Sequence, residues 1–209
     1  MKLPKQCVTR LYKYRDALQR LKTLGFLKIF SDDLADAISV TSAQVRKDFS
    51  LFGISGNKRG GYLIDSLLTQ LNYLLGKDKI NEVVLVGAGH IGRALMHYDG
   101  FEKEHIIIKA AFDIDPLKYG QETKIPIFPL EELAPFIKKN SIRIAIIAVP
   151  YFAAQQIVDA LISAGIRGVL NFAPVTLKVP EDFFVDNVDV RLELETVTYF
   201  ANALNKNKK

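Results

Sequence analysis

Gly87, Gly89 and Gly92 stand at G-x-G-x-x-G spacing inside VVLVGAGHIGRAL, residues 83–95, after an apolar run and at the start of a helical pattern. In that setting each glycine has its own physical task. Gly87 permits a tight turn, Gly89 lets a pyrophosphate approach the backbone, and Gly92 allows close helix–strand packing. The backbone N–H groups around Ala88, His90 and Ile91, at the start of the helix, are donors for phosphate oxygens. Asp113 closes the next apolar run, 21 residues after Gly92. A carboxylate there accepts from ribose hydroxyls and opposes a 2′-phosphate. With Asp115 two residues further on, these positions form a candidate site for NAD, as NADH and NAD+, in preference to NADP.

No catalyst is legible beside that cofactor. His90, His97 and His105 have no acid partner in helical or strand register, and no metal-ligand spacing occurs. A small oxidoreductase or a coenzyme A or nucleotide-binding protein with an accessory helical domain stays open as the alternative. A second chemistry lies upstream. In the helical pattern that opens at Thr41, Val45, Phe49 and Phe52 make an apolar stripe. Ala43, Lys47 and Ser50 face the other way, flanked by Gln44 and Arg46. Such a basic face suits the DNA major groove. The glycine-rich segment 53–62, with Lys58 and Arg59, reads as a hairpin wing for the minor groove. Gln44, Arg46, Lys47, Ser50, Lys58 and Arg59 are therefore the candidate DNA-binding residues. Asp48, poorly placed against phosphate, is expected to hold Arg46 or a neighbouring cation.

Two sets of elements must position these residues. Up to about residue 78 the pattern is helical. A helix over residues 5–24 is ended by Gly25, and a second begins with Ser31 as its N-cap. A short turn leads to a third, with Thr41 and Gln44 as a capping box, and a connecting helix covers residues 63–75. From residue 79 strands alternate with helices, with a Pro-rich link at 125–129, a last strand at 188–194 and a C-terminal helix. Such alternation gives a parallel sheet covered on both faces. The fold class is α/β: an N-terminal winged helix-turn-helix domain, residues 1–78, and a Rossmann parallel-sheet domain, residues 79–209, with a C-terminal helix.

Charge follows the same division. Residues 1–60 hold 12 Lys+Arg against 5 Asp+Glu, whereas the rest hold 16 against 18. The excess positive charge thus sits with the helical part, which points to a polyanion partner there. A single cysteine, Cys7, excludes an intrachain disulfide framework. The apolar runs are strand-length and no signal core is present, so a soluble, cytoplasmic protein without membrane or metal partners is expected.

The segments VTSAQVRKDFSLFG, GGY, VGAGHIGRAL, FDIDP, AVP and LNFAP together resemble the Rex family of redox-sensing transcriptional repressors. The resemblance covers nearly the whole chain. It implies a homodimer whose C-terminal helix is exchanged between subunits, bound to double-stranded operator DNA and released by NADH. It also implies that Tyr98 lies near the nicotinamide and that Asp189 matches an acid near the exchanged helix. Two positions depart from the family pattern. Asp16 stands where the family commonly has a switch arginine, with Arg15 one residue earlier as the candidate substitute. Arg59 stands where the family often has glycine.

Overall fold

The computed structural model describes residues 4–56, 60–120 and 123–206. It divides into two compact units, Met1–Lys79 and Ile80–Lys209.

The first unit runs α1 (Lys5–Thr23), β1 (Lys28–Ile29), α2 (Ser31–Ala37), α3 (Ser42–Leu51), β2 (Tyr62–Leu63) and α4 (Ile64–Leu74). This helix–strand–helix–helix–strand order is that of a winged helix. β2 pairs antiparallel with β1, Ile29 opposite Tyr62. Leu11, Tyr14 and Leu18 of α1 pack with Leu34, Val45, Phe49 and Leu71 in one core. The Phe49 ring stands edge-on to Tyr14 and to Tyr62, at 5.2 and 5.3 Å. Helix starts differ in detail from the sequence reading. Ser31 is the first helical residue instead of the cap, and the Asp33 carboxylate accepts from the Phe30 N–H. Thr41 does cap α3, accepting from the Gln44 N–H at 3.1 Å, but the Gln44 side chain turns to Asp48 and leaves the capping box half made.

Asp48 is the polar centre of this core, 1% exposed. Its carboxylate accepts from Arg10 Nε at 2.5 Å and Nη2 at 2.8 Å, Gln44 Nε2 at 2.7 Å and the Tyr14 hydroxyl at 3.0 Å. The cation it holds is therefore Arg10 of α1, not Arg46. Helical periodicity on one element does not reveal which other helix packs beside it.

The second unit comprises β3 (Asn81–Val86), α5 (His90–Met96), α6 (Gly100–Lys103), β4 (Ile106–Asp113), β5 (Ile127–Pro129), α7 (Leu133–Asn140), β6 (Ile144–Ile147), α8 (Tyr151–Ala164), β7 (Gly168–Asn171), β8 (Phe184–Asn187) and α9 (Val190–Lys206). Six parallel strands lie in the order β5-β4-β3-β6-β7-β8, the order of a Rossmann sheet. Both faces are covered by apolar clusters, one centred on Phe112, Ile147 and Leu161, the other on Leu85, Ala111 and Met96. Two local readings are corrected. The Pro-rich link contains the edge strand β5, where Pro129 at the end of an outer strand removes no interior ladder bond. Residues 190–194 are helix, not strand. Asp189 accepts from the Leu192 N–H at 3.0 Å, and Arg191 pairs with Glu195 one turn on at 2.8 Å, so capping overrides the alternation of apolar residues. Among the described residues no helix is long and apolar enough to cross a membrane.

Burial pushes the Asp48 carboxyl up, but hydrogen bonds from Arg10, Gln44, Tyr14 and Cys7 outweigh it and hold its pKa below the ordinary carboxylate range. A depressed folded-state pKa contributes stability above the unfolded value, about 4, and loses it as pH falls through the folded value. Asp48→Ala strands Arg10, whose side chain is 22% exposed, and should cost about 3 kcal/mol. Urea denaturation at pH 7 measures that loss. Repeated from pH 5 downward, it should show a flatter pH dependence for Asp48→Asn than for the wild type.

Candidate functional site

The carboxyl ends of β3, β4 and β6 open into a cavity of about 680 Å³ at the point where the strand order reverses. Its lining includes Gly87 and Gly89, the polar side chains of Asp113, Asp115 and Lys118, and apolar side chains such as Leu133, Phe152 and Ile157. The glycine tasks can be read from the backbone. Gly87 has φ +97°, and a Cβ there would overlap the Ala148 carbonyl. A Cβ on Gly92 would overlap the Gly87 carbonyl oxygen, while one on Gly89 would meet no protein atom. Gly87 and Gly92 thus serve the protein's own packing, and Gly89 leaves room toward the cavity. His90 and Ile91 are exposed at the first turn of α5, whose leading N–H groups lack intrahelical partners.

Asp113 is buried and already heavily engaged. Its Oδ2 accepts from the Ala88 N–H at 2.7 Å and from Lys118 Nζ at 2.9 Å, and its Oδ1 from the Asp115 N–H at 3.0 Å. Burial pushes this carboxyl up, and Lys118 with the two N–H groups more than compensates, so its pKa lies below the ordinary range. Asp113 therefore staples the glycine turn to the next strand. Of its roughly four lone-pair sites, about one remains for a ligand. Asp115 caps the 3-10 turn Pro116–Lys118 through Leu117 N–H at 3.0 Å, and its side chain is 41% exposed at the cavity wall. Lys118 escaped the sequence reading, although a lysine five residues beyond a strand-ending aspartate was a usable signal.

Tyr98 lies beyond the end of α5, exposed, its ring edge-on to Phe101 at 5.0 Å and away from the cavity lining. Asp189 caps α9 and has Arg191 at 3.6 Å. Among the described residues no hydrogen bond joins Tyr98 to Asp189. Arg15 is buried, donating from Nε to Asn72 at 2.8 Å and from Nη1 to Asp16 at 3.2 Å. Its guanidinium is committed to tying α1 to α4.

In the first unit, Val45 and Phe49 are buried, and Ala43, Arg46, Lys47 and Ser50 are exposed, so α3 presents the basic face expected of it. Gln44 is half-buried and held by Asp48. Arg46 donates to the Ser31 hydroxyl at 3.1 Å, bridging α3 to α2. Lys58 and Arg59 lie outside the described residues. Cys7 is buried against Asp48 at 3.4 Å, and burial first, then that carboxylate, pushes its thiol pKa up. Among the described residues no cluster of His, Cys, Asp and Glu could hold a metal ion.

Residues 2–50 match the family described as putative DNA-binding protein N-terminus, and residues 78–175 match the CoA binding domain family. A redox-sensing transcriptional repressor Rex of Ligilactobacillus salivarius is 38% identical over 203 residues, covering 97% of this chain and 95% of its own. The Rex of Bacillus subtilis is 38% identical, covering 95% and 92%. The chain belongs to the Rex family. Two crystal structures of the Rex-family repressor RSP are similar throughout. RSP in complex with β-NAD+ and operator DNA gives a TM-score of 0.92 at 33% identity, covering 100% of this chain and 96% of that one. RSP in complex with β-NADH gives 0.86 at 34% identity, covering 100% of both.

The Cys7 environment generates a direct expectation. A thiol that is buried and hydrogen-bonded to a carboxylate is a poor nucleophile. In the native protein Cys7 should react with a disulfide reagent far more slowly than in urea, and Cys7→Ser should retain ligand responses. Fast native labelling would contradict the geometry.

Proposed function

We propose that this chain is a DNA-binding transcriptional repressor that senses the NADH/NAD+ ratio, NADH releasing it from operator DNA. The observation that carries this reading is the pairing, in one chain, of an exposed basic α3 face with a cavity at a glycine turn. The family and the ligands of RSP support it. In this reading Lys47 and Ser50 contact base edges, with Ala43 available to a thymine methyl. Arg46 reaches DNA by giving up Ser31, and Gln44 acts mainly by holding Asp48. Lys58 and Arg59 grip the adjacent groove.

The glycine turn from Gly87 to Gly92, with Ala88, His90 and Ile91, takes the pyrophosphate. Asp113 and Asp115 share the adenosine ribose. Tyr98, Asp189 and Arg15 are the proposed switch residues, with Tyr98 near the nicotinamide. The protein works as a homodimer without catalysis, in the cytoplasm. Support for the dimer comes from α9, where Leu192, Leu194, Val197, Phe200 and Leu204 are all more than half exposed. A helix with that much apolar surface in water calls for a second copy.

A ligand shifts a two-state equilibrium only by its differential affinity for the two states. NADH and NAD+ differ chiefly in the nicotinamide, neutral and puckered in one, planar and cationic in the other, so the ring must be what the switch reads. Fluorescence anisotropy with a palindromic operator should show NADH weakening binding. By linkage, operator should weaken NADH binding by the same factor. Unchanged operator affinity at saturating NADH, with NADH occupancy verified in the same sample, would sink the proposal. Turnover of a 2-hydroxy acid would favour a small oxidoreductase instead.

Cofactor choice gives a second test. NADH should bind more tightly than NADPH, because two carboxylates against one lysine leave the ribose wall negative. Asp113→Ala should weaken NADH by about 1.5–3 kcal/mol, the range for a hydrogen bond to a charged group. The match to the CoA binding domain family makes coenzyme A the natural competitor to include. Tighter binding of coenzyme A than of NADH would reassign the cavity.

A further inference from the structure

The carboxyl edge of the sheet continues past the cavity as a row of backbone hydrogen bonds. Gly87 N–H donates to Phe112 O, Ala148 N–H to Val86 O, Phe172 N–H to Ile147 O and Val188 N–H to Asn171 O, each at 2.8 Å. The row begins on the glycine turn and ends two residues before α9.

At its last step a side chain joins. Asn171 is fully buried at the end of β7. Its Oδ1 accepts from the Ala173 N–H at 3.0 Å. Its Nδ2 donates to Ala173 O at 3.1 Å, Val175 O at 3.0 Å and Asn187 Oδ1 at 2.9 Å. One amide thus gathers the loop after β7, the end of β8 and, through Asn187, the root of α9. Phe172, the next residue, packs against the apolar cluster that contains Ala88 of the glycine turn and Met96 of α5.

We propose that the Asn171–Asn187 pair transmits occupancy of the cavity to the root of α9. Asn171 is a positioning residue: it acts on α9 through Asn187 and needs no contact with the cofactor. The physical basis is the directionality of a buried amide. Its two N–H groups already serve three acceptors, so a shift of the Ala173 or Val175 carbonyl changes what remains for Asn187. The link rests on the cofactor reading above.

The test uses Asn187, which is exposed, so that Asn187→Ala removes the acceptor without threatening the core. Asn187→Asp keeps an acceptor oxygen. Operator affinity is measured by anisotropy with and without saturating NADH, and NADH affinity on the DNA-free protein by fluorescence. Asn187→Ala should shrink the NADH effect on operator binding by about three- to tenfold, the scale of one neutral hydrogen bond. NADH affinity should be unchanged, and Asn187→Asp should restore the coupling. An undiminished NADH effect in Asn187→Ala overturns the proposal, as does a loss explained wholly by weaker NADH binding or a failure of Asn187→Asp to rescue.

Hydrogen exchange at the first turn of α9 separates this link from the repressor reading. NADH should change protection there in the wild type and not in Asn187→Ala. A wild type that shows this change yet keeps its operator contradicts the redox switch and upholds the link. A wild type with bound NADH and no change at α9 overturns the link.

Discussion

Six strands that run the same way must end on the same edge, and that edge is where the second unit keeps its ligand chemistry. With β3 and β6 side by side, the chain leaves β3 toward β4 and leaves β6 toward β7, so the loops after these two neighbouring strands diverge and leave a crevice. No side chain opens it. The glycine turn, the Asp113 carboxylate and the loops after β6 and β7 all inherit their positions from this one topological constraint. The same edge carries the hydrogen bonds that lead toward α9.

Each unit is organised around a buried aspartate, and the two solve one problem in different ways. A carboxylate withdrawn from water is tolerable only when its lone pairs are filled. Asp48 is filled mainly by side chains, from α1 and from its own helix. It fixes α3 against α1 and leaves the outward face of α3 free to be basic. Asp113 is filled largely by backbone N–H groups and Lys118, so it fixes a loop rather than a helix. Among the described residues no buried side-chain nitrogen or oxygen lacks a partner.

A redox response without a reactive thiol has to be read from the shape and charge of a bound molecule. The lone cysteine sits in the helical unit's core, where its sulfur is a packing atom and a weak donor. Sensing by ligand demands instead a site that binds both forms of a cofactor and couples one of them to a distant surface. In the second unit four backbone hydrogen bonds of 2.8 Å join neighbouring strands along the carboxyl edge, and the apolar side chains of α9 are exposed.

Much of this was legible in the chain itself, for local physical reasons. The spacing of Gly87, Gly89 and Gly92 fixed the turn, because only glycine tolerates φ +97° and a carbonyl at Cβ distance. The stripe of Val45 and Phe49 fixed which side of α3 is buried, and strand–helix alternation fixed a parallel sheet. Most of what stayed hidden involved partners far apart in sequence. Asp48 finds Arg10 across 38 residues and Arg46 finds Ser31 across 15. Arg15 is taken up by Asn72, 57 residues away. Residues 190–194 alternate like a strand, yet Asp189 caps them into a helix. Sequence periodicity records which face an element buries. Only tertiary packing decides which element it meets there, and therefore which charged groups are consumed inside the fold and which are left for a ligand.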